Sequence, residues 1–328
     1  MSQYYSLTKI HMMRIIKELR LEEYDPKNKK RIKTLSSFFE NLKEDVDKLM
    51  YPTDIIQSLD IDGTFLKGWL NRMRTISFIN FKGGVGKTTI CLNTAYAISK
   101  AFKDAKVLFI DNDKQGNASN WLNANLLKGT ITNIMMGDAS AKEVIQRTKY
   151  PNMDLIPADT GLIDANSAVI KNENINQGTI LRDALKEVEK NYNICIIDNP
   201  PDINISVLNS LALTDEIVIV TFPDTDSLSG VYQMVSQINM VKPLNSKLNL
   251  KGILINAFTS DDSTYEAIAD IKAHNLPIFN AKIHYATKSA KKNLNLARSN
   301  HKSIFEQYPN CLIARDIWNF TKELLNLK

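Results

Sequence analysis

Cysteine is scarce in this chain of 328 residues, and Cys91, Cys195 and Cys311 stand far apart with no C-x-x-C pair. That spacing excludes a disulfide framework and a paired-thiol metal or redox centre. Lone small thiols inside apolar runs read as core residues. No apolar run approaches the ~18 residues of a membrane span. The opening residues, Met1-Ser-Gln-Tyr-Tyr-Ser-Leu-Thr8, lack the basic-then-apolar layout of a secretory signal. These absences suggest a protein of the reducing cytoplasm. Acid is missing from a basic window near the C-terminus: Lys272 to Phe305 holds Lys272, Lys282, Lys288, Lys291, Lys292, Arg298 and Lys302 without a single Asp or Glu. The net charge is +5, so setting those seven cations aside leaves the remaining chain at −2. A run of cations with no acid among them is the footprint expected for a polyanion partner.

What is present begins with Phe78-Ile-Asn-Phe-Lys-Gly-Gly-Val-Gly-Lys-Thr-Thr89. A β-prone run, Thr75 to Phe81, enters a glycine-rich turn, and a helix-compatible segment follows from near Lys87. Glycines let successive backbone N–H groups curl inward around phosphate oxygens, and a helix N-terminus adds its unpaired donors and positive dipole end. Gly83, Gly84, Val85, Gly86, Lys87, Thr88 and Thr89 are the phosphate-cradling candidates. Lys87 is placed to reach the terminal phosphates and Thr88 to hold Mg²⁺. The strict G-x-x-x-x-G-K-[ST] pattern is not met, because Phe81 occupies its first glycine position and a second lysine, Lys82, follows.

From Arg74 onward, strand and helix patterns alternate. Strands are predicted at 75–81, 106–111, 153–157, 193–198, 216–221, 252–256 and 277–283. Several are near-continuous apolar runs, as a parallel sheet covered on both faces requires. The predicted fold is α/β: a doubly wound, mostly parallel sheet of P-loop NTPase type, with ligands at the carboxyl ends of its strands. Residues 1–73 read as a helical extension and 74–328 as the ATPase domain. Within the extension, 53–72 reads as two short helices around a tight turn, which suits either a DNA-reading helix-turn-helix or a packing and dimerisation element.

The Lys82-to-Thr89 arrangement resembles the deviant Walker A signature of the ParA/MinD family of ATPases. Val107-Leu-Phe-Ile-Asp-Asn-Asp-Lys-Gln-Gly-Asn117 resembles that family's Asp-x-Asp-x-Gln-Gly-Asn element, with Lys114 where Pro is usual. By this resemblance Asp113 positions the attacking water and Asp111 supports the Mg²⁺ shell. Asp198, ending the apolar run Asn193–Asp198, fits the Walker B carboxylate. Asn256 and the Phe222-Pro223 backbone match adenine-recognising positions.

The resemblance covers Arg74 to the C-terminus and implies a ParA-type partition ATPase, plasmid- or mobile-element-borne. ATP and Mg²⁺ would be sandwiched in a homodimer, with Lys82 of each subunit crossing to the other's phosphates. The ATP state would bind DNA without sequence preference, through Lys282, Lys288, Lys291, Lys292, Arg298 and Lys302. A ParB-like centromere-binding partner would stimulate hydrolysis. The expected location is the cytoplasm, with nucleoid association in the ATP state and no membrane contact. Two alternatives stand beside this one. A MinD-like positioning ATPase would use the amphipathic 313–327 segment on lipid; an autorepressor would read DNA through 53–72.

Overall fold

The computed structural model describes residues 72–327, so the predicted extension and its 53–72 element lie outside the described residues, apart from Arg72 and Met73. In chain order the elements are β1 (Arg74–Ile79), α1 (Lys87–Ala101), β2 (Val107–Asp111), α2 (Asn117–Trp121), α3 (Ile131–Met136) and α4 (Ala141–Val144). Then come β3 (Gln146–Arg147), β4 (Met153–Ile156), α5 (Leu162–Lys171), α6 (Ile180–Leu185), β5 (Ile194–Asp198), α7 (Ile205–Leu213) and β6 (Glu216–Thr221). The chain continues through α8 (Thr225–Val241), β7 (Asn249–Phe258), α9 (Asp262–Ala273), β8 (Ile283–His284), α10 (Lys288–Ser299), α11 (Ile304–Gln307) and α12 (Leu312–Leu324).

The strands form one eight-stranded sheet in the order β3-β4-β2-β5-β1-β6-β7-β8, parallel except for the β3–β4 edge pair. Alternate side chains of the central strands serve opposite layers. Ile76 and Phe78 of β1, with Ile194 and Ile196 of β5, pack beneath α1, α11 and α12. Their neighbours in the strands, Ile79, Cys195 and Ile197, join clusters beneath α3, α5, α6, α7 and α8 on the other face. Such two-sided cover explains why these strands read as unbroken apolar runs.

Register decides where the chemistry falls. Asp198 lies opposite Phe78 across the β1–β5 pair and opposite Asp111 across the β2–β5 pair. The loops leaving β1, β2 and β5 therefore emerge side by side at one edge of the sheet.

Three strand expectations need correction. The segment 277–283 pairs only at Ile283–His284, with an isolated bridge from Ile278 to Ile253. Pro277 has no N–H to offer a ladder. The N–H groups of Asn280 and Ala281 turn instead to the Glu323 carboxylate at the end of α12, both at 2.7 Å. Two-residue β3 carries too short a pattern to be seen, and β7 runs to ten residues rather than the five expected. The 313–327 segment is largely helical, as expected, and Ile313, Ile317, Phe320 and Leu324 are buried in the core. Phe320 stands edge-on to both Phe78 and Phe279, with ring centroids 6.1 and 4.9 Å away. Among the described residues, no helix is long and apolar enough to cross a membrane.

Candidate nucleotide site

The turn between β1 and α1 is built from left-handed glycines: Gly84 has φ +76° and Gly86, the residue that caps α1, has φ +93°. No side chain caps α1 and its first turn holds no acid, so its leading N–H groups are open toward the cleft. Asn80 locks the entry to the loop, donating to the Val220 carbonyl at 2.7 Å and accepting from the Lys82 N–H at 3.0 Å. Asn256 locks the other side through its Nδ2–H, which donates to the Val85 carbonyl at 2.7 Å. Lys87 is buried and its Nζ donates to the carbonyls of Asn80 (3.1 Å) and Lys82 (3.3 Å). Burial holds its pKa below the usual lysine value, against the pull of nearby Asp198 and Asp113.

A cleft of about 650 Å³ opens over this loop. Its walls include Gly83, Gly84, Gly86, Lys87, Thr88, Thr89, Asp113, Lys114, Asp202 and Arg298. Asp113 is brought there by Asp111. The buried Asp111 accepts from the Asp113 N–H at 3.1 Å through Oδ1 and from the N–H and hydroxyl of Ser119, both at 2.7 Å, through Oδ2. Burial raises the Asp111 pKa to about 6 against those stabilising bonds. Its carboxylate thus braces the Asp113 loop.

Asp198 is different. It is fully buried, neither oxygen has a well-formed hydrogen bond, and burial with the nearby Asp111 charge raises its pKa to about 8. Thr88 stands close enough to favour its ionised form. An orphaned buried carboxylate beside a hydroxyl, facing a phosphate loop, is a donor set suited to Mg²⁺, which takes one or two protein ligands and completes its shell with phosphate oxygens and water.

A second, smaller hollow of about 220 Å³ adjoins the first, lined by Phe222, Asn256, Ile283, Tyr285, Lys291, Leu294 and others. Its largely apolar walls suit a flat base. Phe222 and Asn256 reach it, whereas Pro223 is not among its lining residues.

The family model described as "AAA domain" matches residues 73–251. "Chromosome partitioning protein ParA" of Myxococcus xanthus is 34% identical over 197 residues, covering 59% of this chain and 68% of that relative. The chain belongs to the ParA family of partition ATPases. Its fold matches an ATP complex of a Cyanothece McdA variant at TM-score 0.68 and 22% identity, over 78% of this chain and 97% of that one. It also matches cobyrinic acid a,c-diamide synthase of Mycobacterium smegmatis with bound ATP analogue and magnesium (TM-score 0.61, 25% identity, covering 70% and 93%).

In this partition ATPase the structure gathers Gly83, Gly84, Gly86, Lys87, Thr88, Thr89 and Asp113 around one cleft, with Val85 buried beneath it and Asp111 and Asp198 at the adjoining strand ends. Lys82 points elsewhere: its Nζ pairs with Asp224 Oδ1 at 2.8 Å. The basic window divides. On α10, Lys291, Leu294 and Arg298 recur at i, i+3 and i+7 and line the two hollows, whereas Lys288 and Lys292, exposed like Lys291 and Arg298, border neither. Arg298 thus joins the phosphate cleft, apart from the outward lysines. Lys282 lies over the Phe258 ring at 4.4 Å, and Lys302 is exposed just past α10.

Two participants escaped sequence reasoning: Asp224, which holds Lys82, and Asp202, which pairs with Lys114 at 3.4 Å. Tyr285 carries Lys291 4.6 Å from its ring centroid.

Proposed function

We propose that this chain moves a replicon by an ATP-gated grip on DNA. The observation that carries the proposal is the double use of α10. One side of the helix walls the nucleotide hollows, while Lys288 and Lys292 face solvent without an acid nearby in sequence. A change at the phosphates is thereby felt by the element that offers cations to a polyanion.

In this reading the open N–H groups of the loop and of α1 bind the phosphate chain, and Lys87 turns from its two carbonyls to the terminal phosphates. Asp113, held by Asp111, orients the attacking water. Thr88 and Asp198 would hold Mg²⁺, which neutralises charge on the terminal phosphates. The magnesium and ATP analogue bound by the mycobacterial synthase support this assignment. Phe222 and Asn256 border the base. Lys82 leaves Asp224 and crosses to a second subunit's phosphates, so a homodimer forms only around ATP and hydrolysis releases it.

The DNA face comprises Lys288 and Lys292, with Lys282 and Lys302 as neighbouring cations. Contacts of this kind grip phosphates without reading bases. A ParB-like partner would trigger hydrolysis, and the protein would alternate between cytoplasm and nucleoid. A membrane role is disfavoured, because Ile313, Ile317, Trp318, Phe320 and Leu324 of α12 are buried in the core.

The test is binding to random-sequence duplex DNA with ATP, ADP or no nucleotide, repeated across salt. Tight binding with ATP alone, weakening steeply as salt rises, is the expected result. Equal binding in all three states would remove the ATP gate, and no binding in any state would remove the DNA face.

A further inference from the structure

The cation left over by this assignment is Arg298. It lines the phosphate cleft from the last turn of α10, together with the loop glycines, Lys87 and Asp113. Among the described residues no carboxylate pairs with it. Its guanidinium instead lies over the buried Trp121 ring, 5.1 Å from the centroid. That ring is itself fixed, because Trp121 Nε1–H donates to the Lys302 carbonyl at 2.8 Å. A second bond, from His301 Nδ1–H to the Asn120 carbonyl at 2.9 Å, docks the end of α10 onto α2. An unpaired guanidinium resting over a fixed aromatic ring, in the wall of a cleft that also holds a loop of open N–H groups, is organised for an anion.

We infer that Arg298 is a ligand of the nucleotide's phosphate chain, contributed by the same subunit that supplies the loop. The inference rests on the proposal that this cleft binds the nucleotide, and it adds a residue from the opposite wall. Helix geometry supports the placement. Lys291 borders the base hollow and Arg298 borders the phosphate cleft, seven residues apart. At 1.5 Å per residue that separation is about 10 Å along the helix, comparable with the reach from a base to its phosphates. Arg298 offers paired N–H donors suited to phosphate oxygens, whereas a lysine there would supply a point charge only.

The experiment is calorimetric titration of ATP and ADP into wild-type protein, Arg298→Ala, Arg298→Lys and Lys87→Ala, with random duplex DNA binding measured on the same samples. Arg298→Ala is expected to keep its melting temperature and lose about tenfold in affinity for both nucleotides, the loss of one charge-assisted contact. Arg298→Lys is expected to recover part of it. Wild-type nucleotide affinity in Arg298→Ala would overturn the inference while leaving the cleft assignment intact. Loss of DNA affinity with nucleotide affinity unchanged would also overturn it, and would return Arg298 to the DNA face. A wild-type protein that binds neither nucleotide would overturn the cleft assignment itself, and this inference with it.

Discussion

Gly86 shows how little freedom the phosphate loop has. Its φ of +93° is a conformation that side chains rarely adopt, and an added Cβ would stand 2.4 Å from Asn256 Nδ2. Gly86→Ala must therefore strain the backbone and break the Asn256 bond to the Val85 carbonyl that braces the loop. Left-handed strain of this kind costs about 1–3 kcal/mol, so a fall in thermal stability and a near-complete loss of ATP binding by calorimetry are expected. A variant that bound ATP normally would show that the loop does not need this geometry. Asp113 makes a different demand. Asp111 holds its loop through the Asp113 N–H, a bond that Asp113→Ala keeps while losing the Gln115 N–H bond to Oδ1 at 3.0 Å, so the variant should fold and bind ATP. Turnover should fall by at least about a hundredfold, the contribution of a positioned acid or base, as read from phosphate release. Normal turnover would take the water-orienting role away from Asp113. At this scale the sequence was legible wherever one short stretch carries the whole geometry, as the loop from Lys82 to Thr89 does. The pairs Lys82–Asp224 and Lys114–Asp202 were not legible. Their members are 142 and 88 residues apart, and only the sheet brings their loops together.

Among the elements, α10 is the one whose composition and placement must be taken together. Its exposed Lys288 and Lys292 are four residues apart, on a helix begun by Thr287, whose hydroxyl accepts from the Ala290 N–H at 3.3 Å. If each lysine neutralises one DNA phosphate, removing both should lower the slope of log affinity against log salt by about 2. Lys288→Ala/Lys292→Ala is expected to do this without changing ATP affinity, because neither lysine borders the nucleotide hollows. An unchanged salt slope would move the DNA contact away from this helix. Sequence alone saw a window without acids but could not divide it, since the division depends on which residues of α10 border the two hollows. The central strands were legible for the opposite reason: a strand covered on both faces is apolar throughout, and β5 and β6 show it directly. The edge was not, because Pro277 and the Glu323 carboxylate divert backbone groups that an apolar pattern assigns to a ladder.

For the whole molecule, the proposed ATP-dependent dimer requires something that keeps subunits apart before ATP arrives. In the single chain Lys82 is engaged by Asp224, with both side chains partly exposed. Asp224 also caps α8, accepting from the Ser227 N–H at 2.9 Å and its hydroxyl at 2.8 Å. The Lys82 bond and these cap bonds work against burial and hold its carboxyl below the usual range, so Asp224 stays ionised at neutral pH. A lysine that must cross to another subunit has first to leave this partner. An exposed pair is worth about 0.2–1 kcal/mol, and a symmetric dimer breaks two of them. Asp224→Ser removes the charge while a hydroxyl can keep the cap. It should therefore promote ATP-dependent dimerisation by up to about thirtyfold in sedimentation velocity, with the monomer's melting temperature nearly unchanged. Lys82→Ala in the same experiment should stay monomeric while still binding ATP. The comparison separates two accounts of the lysine. If Asp224→Ser dimerises more readily and Lys82→Ala does not dimerise, Lys82 is a cation exchanged between a carboxylate at home and a phosphate across the interface. If both variants dimerise like wild type, Lys82 is a surface lysine and the contact that joins the subunits lies elsewhere.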